Sequence, residues 1–159
     1  MPNFGYSVFG LDPVRTAKGS GRDLRISPKH AREICCSIKG KMLVEAKDFL
    51  EAVINKKQLV PYKRYNKLRA HHRGLHKWYT GGYPVKAARA ILKVLDNVEG
   101  IATYKGLDTD SLRIIHAAAQ RGRIIKRAMP RAFGRTSPKF RNLTHVEIVL
   151  EEERISSEE

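Results

Sequence analysis

Residues 112–150, LRIIHAAAQRGRIIKRAMPRAFGRTSPKFRNLTHVEIVL, decide the fold. At both ends of this segment, largely apolar residues recur at every second position, the period of a β-strand. The two sets are Leu112, Ile114, His116 and Ala118, and then Thr144, Val146, Ile148 and Leu150. The glycines and prolines between them indicate turns, so the spacing predicts a long hairpin over 111–150 that turns near 129–134.

The distal half of this hairpin, 122–141, is poorly suited to stand alone. Arms of about 16 residues, at about 3.3 Å per residue, would reach roughly 50 Å, farther than a small domain covers. The distal half has few large apolar residues and no acid to pair with its arginines. Because an isolated two-stranded ribbon is marginally stable in water, we expect a partner outside the chain to hold it.

The charge distribution identifies the chemistry of that partner. The chain has 159 residues and a formal charge of +15, and it is 42% apolar, enough for a modest core. Residues 52–95 contain eleven Lys or Arg and no acid, and residues 111–146 contain nine and again no acid. A carboxylate facing phosphate would weaken binding, so segments that exclude acids favour a phosphate-rich partner, and RNA is the natural candidate.

Several other classes are disfavoured. No apolar run approaches the roughly 18 to 20 residues of a membrane span, and the first residues lack a signal-peptide layout, so we expect a cytoplasmic protein without membrane insertion. Cys35 and Cys36 are adjacent, which fits neither a strain-free disulfide nor a zinc pattern, and predicts small apolar residues on a helix. The acid-free segments lack the carboxylates of general acid–base catalysis, so we expect no enzyme, metal or cofactor.

The rest of the chain predicts three helices and a short strand. A strand is expected over 22–26, followed by a helix with Ser27 at its N-cap, Pro28 at its first position and Gly40 at its stop. A second helix is expected over 43–57. A third opens at Tyr83 and Pro84 and presents an apolar face formed by Ala88, Ile91, Leu92, Leu95, Val98 and Ala102.

Residues 59–82 are basic and aromatic, and we expect a loop or extension outside the core. Its aromatic residues, Tyr62, Tyr65, Trp78 and Tyr79, either stack on exposed bases or pack back onto the body. Three histidines, His71, His72 and His76, suggest a metal site if the last two share a helical face. Nearby cations would repel a metal ion, however, and hydrogen bonding to an RNA backbone is the better interpretation.

An ordered set of motifs resembles the large-subunit ribosomal protein twenty-two family. The motifs are Leu24-Arg-Ile-Ser-Pro-Lys-His-Ala31, Tyr83-Pro-Val-Lys-Ala-Ala88, Lys105-Gly-Leu-Asp108, Lys126-Arg-Ala-Met-Pro-Arg-Ala-Phe-Gly-Arg135 and Thr144-His-Val-Glu-Ile148. The resemblance covers about 19–151, and 59–82 looks like the insertion of archaeal and eukaryotic members. It implies one α+β domain over 1–159, in which three helices pack on a small antiparallel sheet with a long extended β-hairpin. Residues 151–159 are rich in acids, and we expect them to form an acidic tail.

The resemblance also implies a place and a role in the cytoplasmic ribosome. In this family the body sits near the exit-tunnel opening of the large subunit, the hairpin threads through ribosomal RNA, and its tip forms part of the tunnel wall. Contacts with several RNA domains suit a role in subunit assembly, beside neighbouring ribosomal proteins and the nascent peptide. The family's tip motif falls on Arg131, Ala132, Gly134 and Arg135.

These considerations predict two sets of site residues. The expected ribosomal-RNA contacts are Arg22, Arg25, Lys29, Lys63, Arg64, Tyr65, Arg69, His71, His72, Arg73, His76, Lys77, Trp78, Arg121, Arg123, Lys126, Arg127, Arg131, Arg135, Lys139 and Arg141. The expected tunnel-lining residues are Met129, Pro130, Arg131, Ala132, Phe133 and Gly134. The alternative functions are a free RNA chaperone and a nucleic-acid-processing factor.

Overall fold

A computed structural model describes residues 5–153. The elements within this range, in chain order, are β1 (Thr16–Leu24), α1 (Pro28–Ile38), α2 (Leu43–Ile54), β2 (Val60–Pro61), β3 (Gly81–Gly82), α3 (Val85–Tyr104), β4 (Leu112–Ile125), β5 (Ala128–Pro130), β6 (Thr136–Pro138) and β7 (Arg141–Glu152). A short 3₁₀ turn, Thr109–Ser111, precedes β4. A second, Ala132–Gly134, forms the tip of the hairpin. The predicted α+β class with a long hairpin is confirmed.

The main sheet is antiparallel, with the strand order β1–β7–β4. Strand β7 is central, so both of its edges are paired, and residues on both of its faces are buried. Val146, Ile148 and Leu150 belong to the hydrophobic core beneath the helices, whereas Glu147 and Val149 are buried on the opposite side. The alternation predicted for this strand is correct on the core side, but its other side is less polar and less exposed than expected.

A β-bulge in β4 corrects the predicted face of that strand. Ile114 pairs with Leu150, but the next paired residue is His116, opposite Val149, so Ile115 is an extra residue. One extra residue transfers every later side chain to the other face of the sheet. Ala117 and Ala119 therefore pack against the core, in place of the predicted His116 and Ala118.

Strand β1 begins earlier than the predicted 22–26 and ends at Leu24. The sequence pattern did not predict the first part of β1 because it contains glycines, which are disfavoured in strands. A Cβ atom added at Gly19 would lie 2.3 Å from Val98 Cγ2 of α3, and one at Gly21 would lie 2.7 Å from Val94 Cγ2. Glycine is required here because α3 crosses the strand at very short distance.

The helices follow the predicted order with revised ends. Ser27 is the N-cap of α1 and Pro28 its first residue, although the Ser27 hydroxyl makes no capping hydrogen bond, and Gly40 adopts φ 84° after the helix. Helix α2 ends at Ile54, three residues before the prediction, because Lys56 adopts φ 58° and Lys57 N–H donates to the Ala52 carbonyl at 2.8 Å.

The apolar face of α3 is largely the predicted one. Ala88, Ile91, Leu95, Val98 and Ala102 are buried. Leu92, also predicted, is partly buried at the edge of the core. Two residues outside the predicted set, Ala87 and Val94, are buried as well.

The expectation that all of 59–82 lies outside the core is wrong. Val60 and Tyr62 are almost completely buried, and β2 pairs with β3 at the base of the segment. At the other end of the chain, the first two residues of the predicted acidic tail, Glu151 and Glu152, belong to β7, and 154–159 lie outside the described residues.

Candidate nucleic-acid interface

The distal ribbon, defined as residues 122–141, extends beyond the core as a basic two-stranded arm. Strands β5 and β6 pair with each other, and the chain reverses between Pro130 and Thr136, where the sequence predicted the turn. The ribbon contains seven Lys or Arg and no acid, and every one of these cations is exposed. They are Arg123, Lys126, Arg127, Arg131, Arg135, Lys139 and Arg141.

The tip presents an aromatic side chain to the surroundings. Phe133 adopts a left-handed conformation, φ 56°, and its side chain is 96% exposed. The turn is closed by a hydrogen bond from Arg131 N–H to the Arg135 carbonyl at 2.8 Å. Arg131 Nε also donates to Ser137 Oγ at 3.1 Å, which orients its guanidinium along the ribbon.

One predicted RNA contact has an acidic partner within the chain. Arg123 Nη2 lies 3.1 Å from Asp23 Oδ2, and Asp23 N–H donates to His145 Nδ1 at 3.0 Å. These contacts tie the base of the ribbon to the end of β1. Arg123 is therefore partly neutralised, unlike the other six ribbon cations, for which the described residues provide no acidic partner.

A buried carboxylate that the sequence did not single out organises the start of the insertion. Glu33 of α1 is 1% exposed and accepts hydrogen bonds from the backbone N–H groups of Lys63, Arg64 and Tyr65, each at 3.1 Å. Since the carboxylate binds the backbone, the Lys63 and Arg64 side chains point outward and are exposed. The Glu33 carboxylate thus holds the backbone of a basic turn while its own charge stays buried.

The two interpretations of the aromatic residues, stacking on bases and packing onto the body, can be judged for individual side chains. Base stacking is wrong for Tyr62, because its ring is 1% exposed beneath the Arg69 guanidinium, which lies 4.8 Å from the ring centroid. Trp78 packs back onto the body: its Nε1 donates to the Tyr62 carbonyl at 3.0 Å, and its ring stacks on Tyr79 at 5.1 Å. Tyr65 lies under three cations, Lys29, Arg32 and Arg64.

The histidines of the insertion are arranged by aromatic contacts. His71 lies edge-on to Tyr79 at 5.2 Å, and His72 lies edge-on to Tyr83 at 6.2 Å. No helix runs through 62–80 in the described chain, so His72 does not share a helical face with His76. Across residues 5–153, no three His, Cys, Asp or Glu side chains form a group that could hold a metal ion.

His30 of α1 is drawn into the same surface. The Arg69 guanidinium contacts its Nε2, and the His30 ring lies edge-on to Tyr62 at 5.6 Å. Burial, together with the nearby Arg69 charge, lowers the pKa of His30 below its ordinary value. This histidine is therefore held neutral inside a basic surface.

The adjacent cysteines have different environments. Cys35 is buried, and burial is the main cause that raises the pKa of its thiol to about 12. Both cysteines lie on α1, as predicted, but only Cys35 packs in the core, because Cys36 is exposed. No disulfide links Cys35 to Cys36.

A cluster of Ser7, His116 and Glu147 lies on the face of the sheet opposite the core. Ser7 Oγ is 3.1 Å from His116 Nε2, and Glu147 Oε1 is 3.2 Å from the same nitrogen. A catalytic triad needs the acid on the other ring nitrogen, to fix the tautomer while the first faces the nucleophile. Glu147 instead accepts hydrogen bonds from the Ser7 N–H, the Ser7 hydroxyl and Gln120, so the cluster fastens the N-terminal segment to β7.

The comparisons with known proteins agree with this geometry. The family model described as Ribosomal protein L22p/L17e matches residues 19–151. The chain belongs to this ribosomal protein family. The large ribosomal subunit protein uL22 of Archaeoglobus fulgidus is 52% identical over 151 residues, 95% of this chain and 97% of that protein. The protein of the same name from Methanopyrus kandleri is 52% identical over 143 residues, 89% of this chain and 90% of its own length.

Family membership sets the coarse function. The chain is a structural component of the large ribosomal subunit and not an enzyme, and it is located in the cytoplasmic ribosome. Its uL22 relatives cover almost its whole length, including the protein of Hyperthermus butylicus, 48% identical over 156 residues, 96% of this chain and 99% of that protein. None of the helices in the described part of the chain has the length and apolarity to cross a membrane.

Proposed function

We propose that the distal ribbon and the exposed side of the insertion bind large-subunit ribosomal RNA, and that the binding supports subunit assembly. The observation that carries the proposal is the distal ribbon, with seven exposed cations and no acid. A ribbon of this kind has little apolar surface to bury and strong internal repulsion. Phosphates would remove the repulsion and supply hydrogen-bond acceptors for its arginines.

The insertion supplies a second basic surface to the same partner. Its exposed cationic side chains are Lys63, Arg64, Lys67, Arg69, Arg73 and Lys77, together with the exposed rings of His71 and His76. On the adjoining body, Arg25 and Lys29 are exposed and Arg22 is partly exposed. In the arms of the hairpin, Arg121 continues the row toward the body. Two basic surfaces on one chain would bring separate RNA segments together.

We further propose that the tip lines the nascent-peptide exit tunnel. The tip residues are Met129, Pro130, Arg131, Ala132, Phe133 and Gly134, and Phe133 in particular is exposed at the end of the ribbon. An exposed phenylalanine on a basic turn is unfavourable in water and suits contact with a base or a passing peptide.

Sedimentation separates a ribosomal component from a free RNA chaperone. The protein is expected to co-sediment with the large subunit and to remain there after washing at moderate salt. A protein found in the soluble fraction, with none on ribosomes, would favour the chaperone and overturn the proposal.

Photo-crosslinking tests the tunnel contact. A benzophenone amino acid placed at Phe133 is expected to crosslink to a stalled nascent chain in assembled ribosomes. The matched control is the same substitution at Phe140, which is 55% exposed but lies seven positions farther along the ribbon. Equal peptide crosslinking from both positions, or none from position 133, would contradict the tunnel assignment.

A further inference from the structure

A cleft of about 470 Å³ lies where the distal ribbon leaves the body. Its wall is built from four separate parts of the chain, each of which contributes one cation: Arg25 after β1, Lys86 in the first turn of α3, Arg127 after β4 and Arg141 at the start of β7. No carboxylate is among the described residues that line it. The tertiary fold therefore gathers four cations that are far apart in the sequence.

These four cations are not occupied by partners within the described chain. All four side chains are exposed, and none takes part in an ion pair there. Other cations do find acids, for example Lys47, whose ammonium lies 3.0 Å from Asp96 and 2.6 Å from Glu99. Four unpaired cations around one cleft repel one another, and an anion would relieve that repulsion.

Two helix starts reinforce the positive potential. Ser27 and Pro28, the N-cap and first residue of α1, line the cleft, and Lys86 lies at the start of α3. Neither helix has an acid in its first turn or a side-chain capping hydrogen bond. Their first N–H groups carry partial positive charge, which an anion stabilises.

Part of the lining of the cleft is apolar, which suits a nucleotide. Ile26 and Leu143, both buried, line the cleft together with Ile125. Phosphate contacts above an apolar surface match a strand of RNA, whose sugars and bases present less polar faces. A free inorganic anion would use the charges alone.

We propose that this cleft binds one or two consecutive phosphates of an RNA strand and thereby fixes the direction of the ribbon relative to the body. The inference rests on the proposed RNA binding and adds a site to it, including Lys86, which the sequence did not single out. Because two of the cations belong to the body and two to the ribbon, one bound strand restrains both.

Two double variants with the same loss of charge test the cleft. Arg25→Gln with Lys86→Gln removes both body cations. Arg89→Gln with Lys93→Gln removes an exposed Arg and Lys of α3 that do not line the cleft. Binding to a large-subunit ribosomal RNA transcript is measured at several salt concentrations, and unfolding curves verify that both variants fold.

The cleft variant is expected to bind on the order of ten-fold more weakly than the control variant, with a salt dependence reduced by about one to two phosphate contacts. If both variants match the unaltered protein, the cleft proposal is overturned while RNA binding stands. If the unaltered protein does not bind the transcript at all, RNA binding fails and the cleft proposal with it.

The rate of lysine acylation at Lys86 Nζ gives an independent test of the cleft. In the complex with the transcript, Lys86 Nζ is expected to be protected while Lys93 Nζ stays reactive. Equal reactivity of the two lysines would overturn the proposal. Protection of Lys86 by inorganic phosphate alone, at the same phosphate concentration, would indicate a small-anion site and overturn the assignment to RNA.

Discussion

At the scale of single residues, two buried acids stabilise this basic protein through backbone and polar contacts. Glu33 binds three consecutive backbone N–H groups of the insertion, and Glu147 binds Ser7 of the N-terminal segment. Glu33 precedes the acid-free segment 52–95, and Glu147 directly follows the acid-free segment 111–146. Each fastens an irregular part of the chain to a regular element and keeps its charge away from the basic surface.

Replacing Glu33 with Gln should loosen the insertion. A neutral amide accepts fewer and weaker hydrogen bonds, so the free energy of unfolding is expected to fall by about 1–3 kcal/mol. Amide exchange at Lys63, Arg64 and Tyr65 should also accelerate. Glu51→Gln, at an exposed position of α2, is the control and should change stability by less than about 0.5 kcal/mol. Equal stability of the two variants would contradict the role assigned to Glu33.

Glu147 predicts a dependence of stability on pH. Burial raises the pKa of Glu147, but hydrogen bonds from Ser7 and His116 outweigh it and hold the pKa below its usual value. A carboxyl whose pKa is lower in the folded state stabilises the fold above its unfolded pKa, about 4.3, and this contribution is lost as the pH falls through the folded value. Denaturant unfolding between about pH 6 and pH 3 should therefore show a steeper loss in the unaltered protein than in Glu147→Gln. Parallel curves would exclude Glu147 as a source of the loss.

At the scale of elements, the fold combines a helix that packs very closely on a strand with a hairpin end that lies outside the core. Helix α3 lies so close to β1 that glycine is needed at Gly19 and Gly21. The distal ribbon, in contrast, contributes no side chain to the buried core between residues 122 and 141. The body is therefore rigid, while the ribbon depends on its backbone hydrogen bonds.

Two glycine-to-alanine substitutions should change stability in opposite directions. Gly19→Ala places a methyl group against Val98 and is expected to destabilise the protein by about 1–3 kcal/mol. Gly100→Ala, where nothing lies within 4 Å of the new atom, is expected to stabilise α3 by about 0.5–1 kcal/mol. Denaturant midpoints measure both. A neutral Gly19→Ala would mean that α3 does not cross β1 as closely as described.

The ribbon should exchange its amide hydrogens quickly when the protein is free. Residues 122–141 are expected to lose protection far sooner than Ile148 or Leu150 in the buried part of β7, and to gain protection on binding RNA. Hydrogen exchange followed by mass spectrometry measures both states. A tip as protected in the free protein as the centre of the sheet would contradict this prediction.

At the scale of the whole molecule, charge is distributed along the long axis of the hairpin. The charged residues of the ribbon are all basic, whereas the opposite end of the arms carries acids, namely Asp108, Asp110 and residues 151–153 at and just after the end of β7. This polarity would orient the protein as it approaches RNA, with the ribbon leading.

Reversing the tip charges should impair incorporation into the large subunit. Arg131→Glu with Arg135→Glu is expected to reduce incorporation by at least about ten-fold, because two side chains proposed to contact phosphates would then repel them. Arg89→Glu with Lys93→Glu, at exposed positions of α3 outside the ribbon and the insertion, changes the net charge equally and is the control. Incorporation is measured as the ratio of variant to unaltered protein in purified large subunits. Equal losses would mean that total charge matters and the position of the arginines does not.

The sequence by itself determined the features that depend on local pattern and composition. The two-residue period around Ile114 and Ile148 and the proline before α3 were sufficient for the class and the hairpin, and the absence of acids over 111–146 supports the proposal of a phosphate-rich partner. Periodicity and charge can be read from neighbours along the chain, because strands and helices impose fixed spacings.

Only the tertiary structure decided the features that depend on contacts between distant residues. The bulge at Ile115, the burial of Tyr62 and the cradle that Glu33 forms for the insertion are invisible in any short window. The cleft is the strongest case, since Arg25, Lys86 and Arg141 become neighbours only when β7 pairs between β1 and β4 and α3 packs on the sheet. A sequence fixes which charges exist, but the pairing of strands and the packing of helices fix which of them share a site.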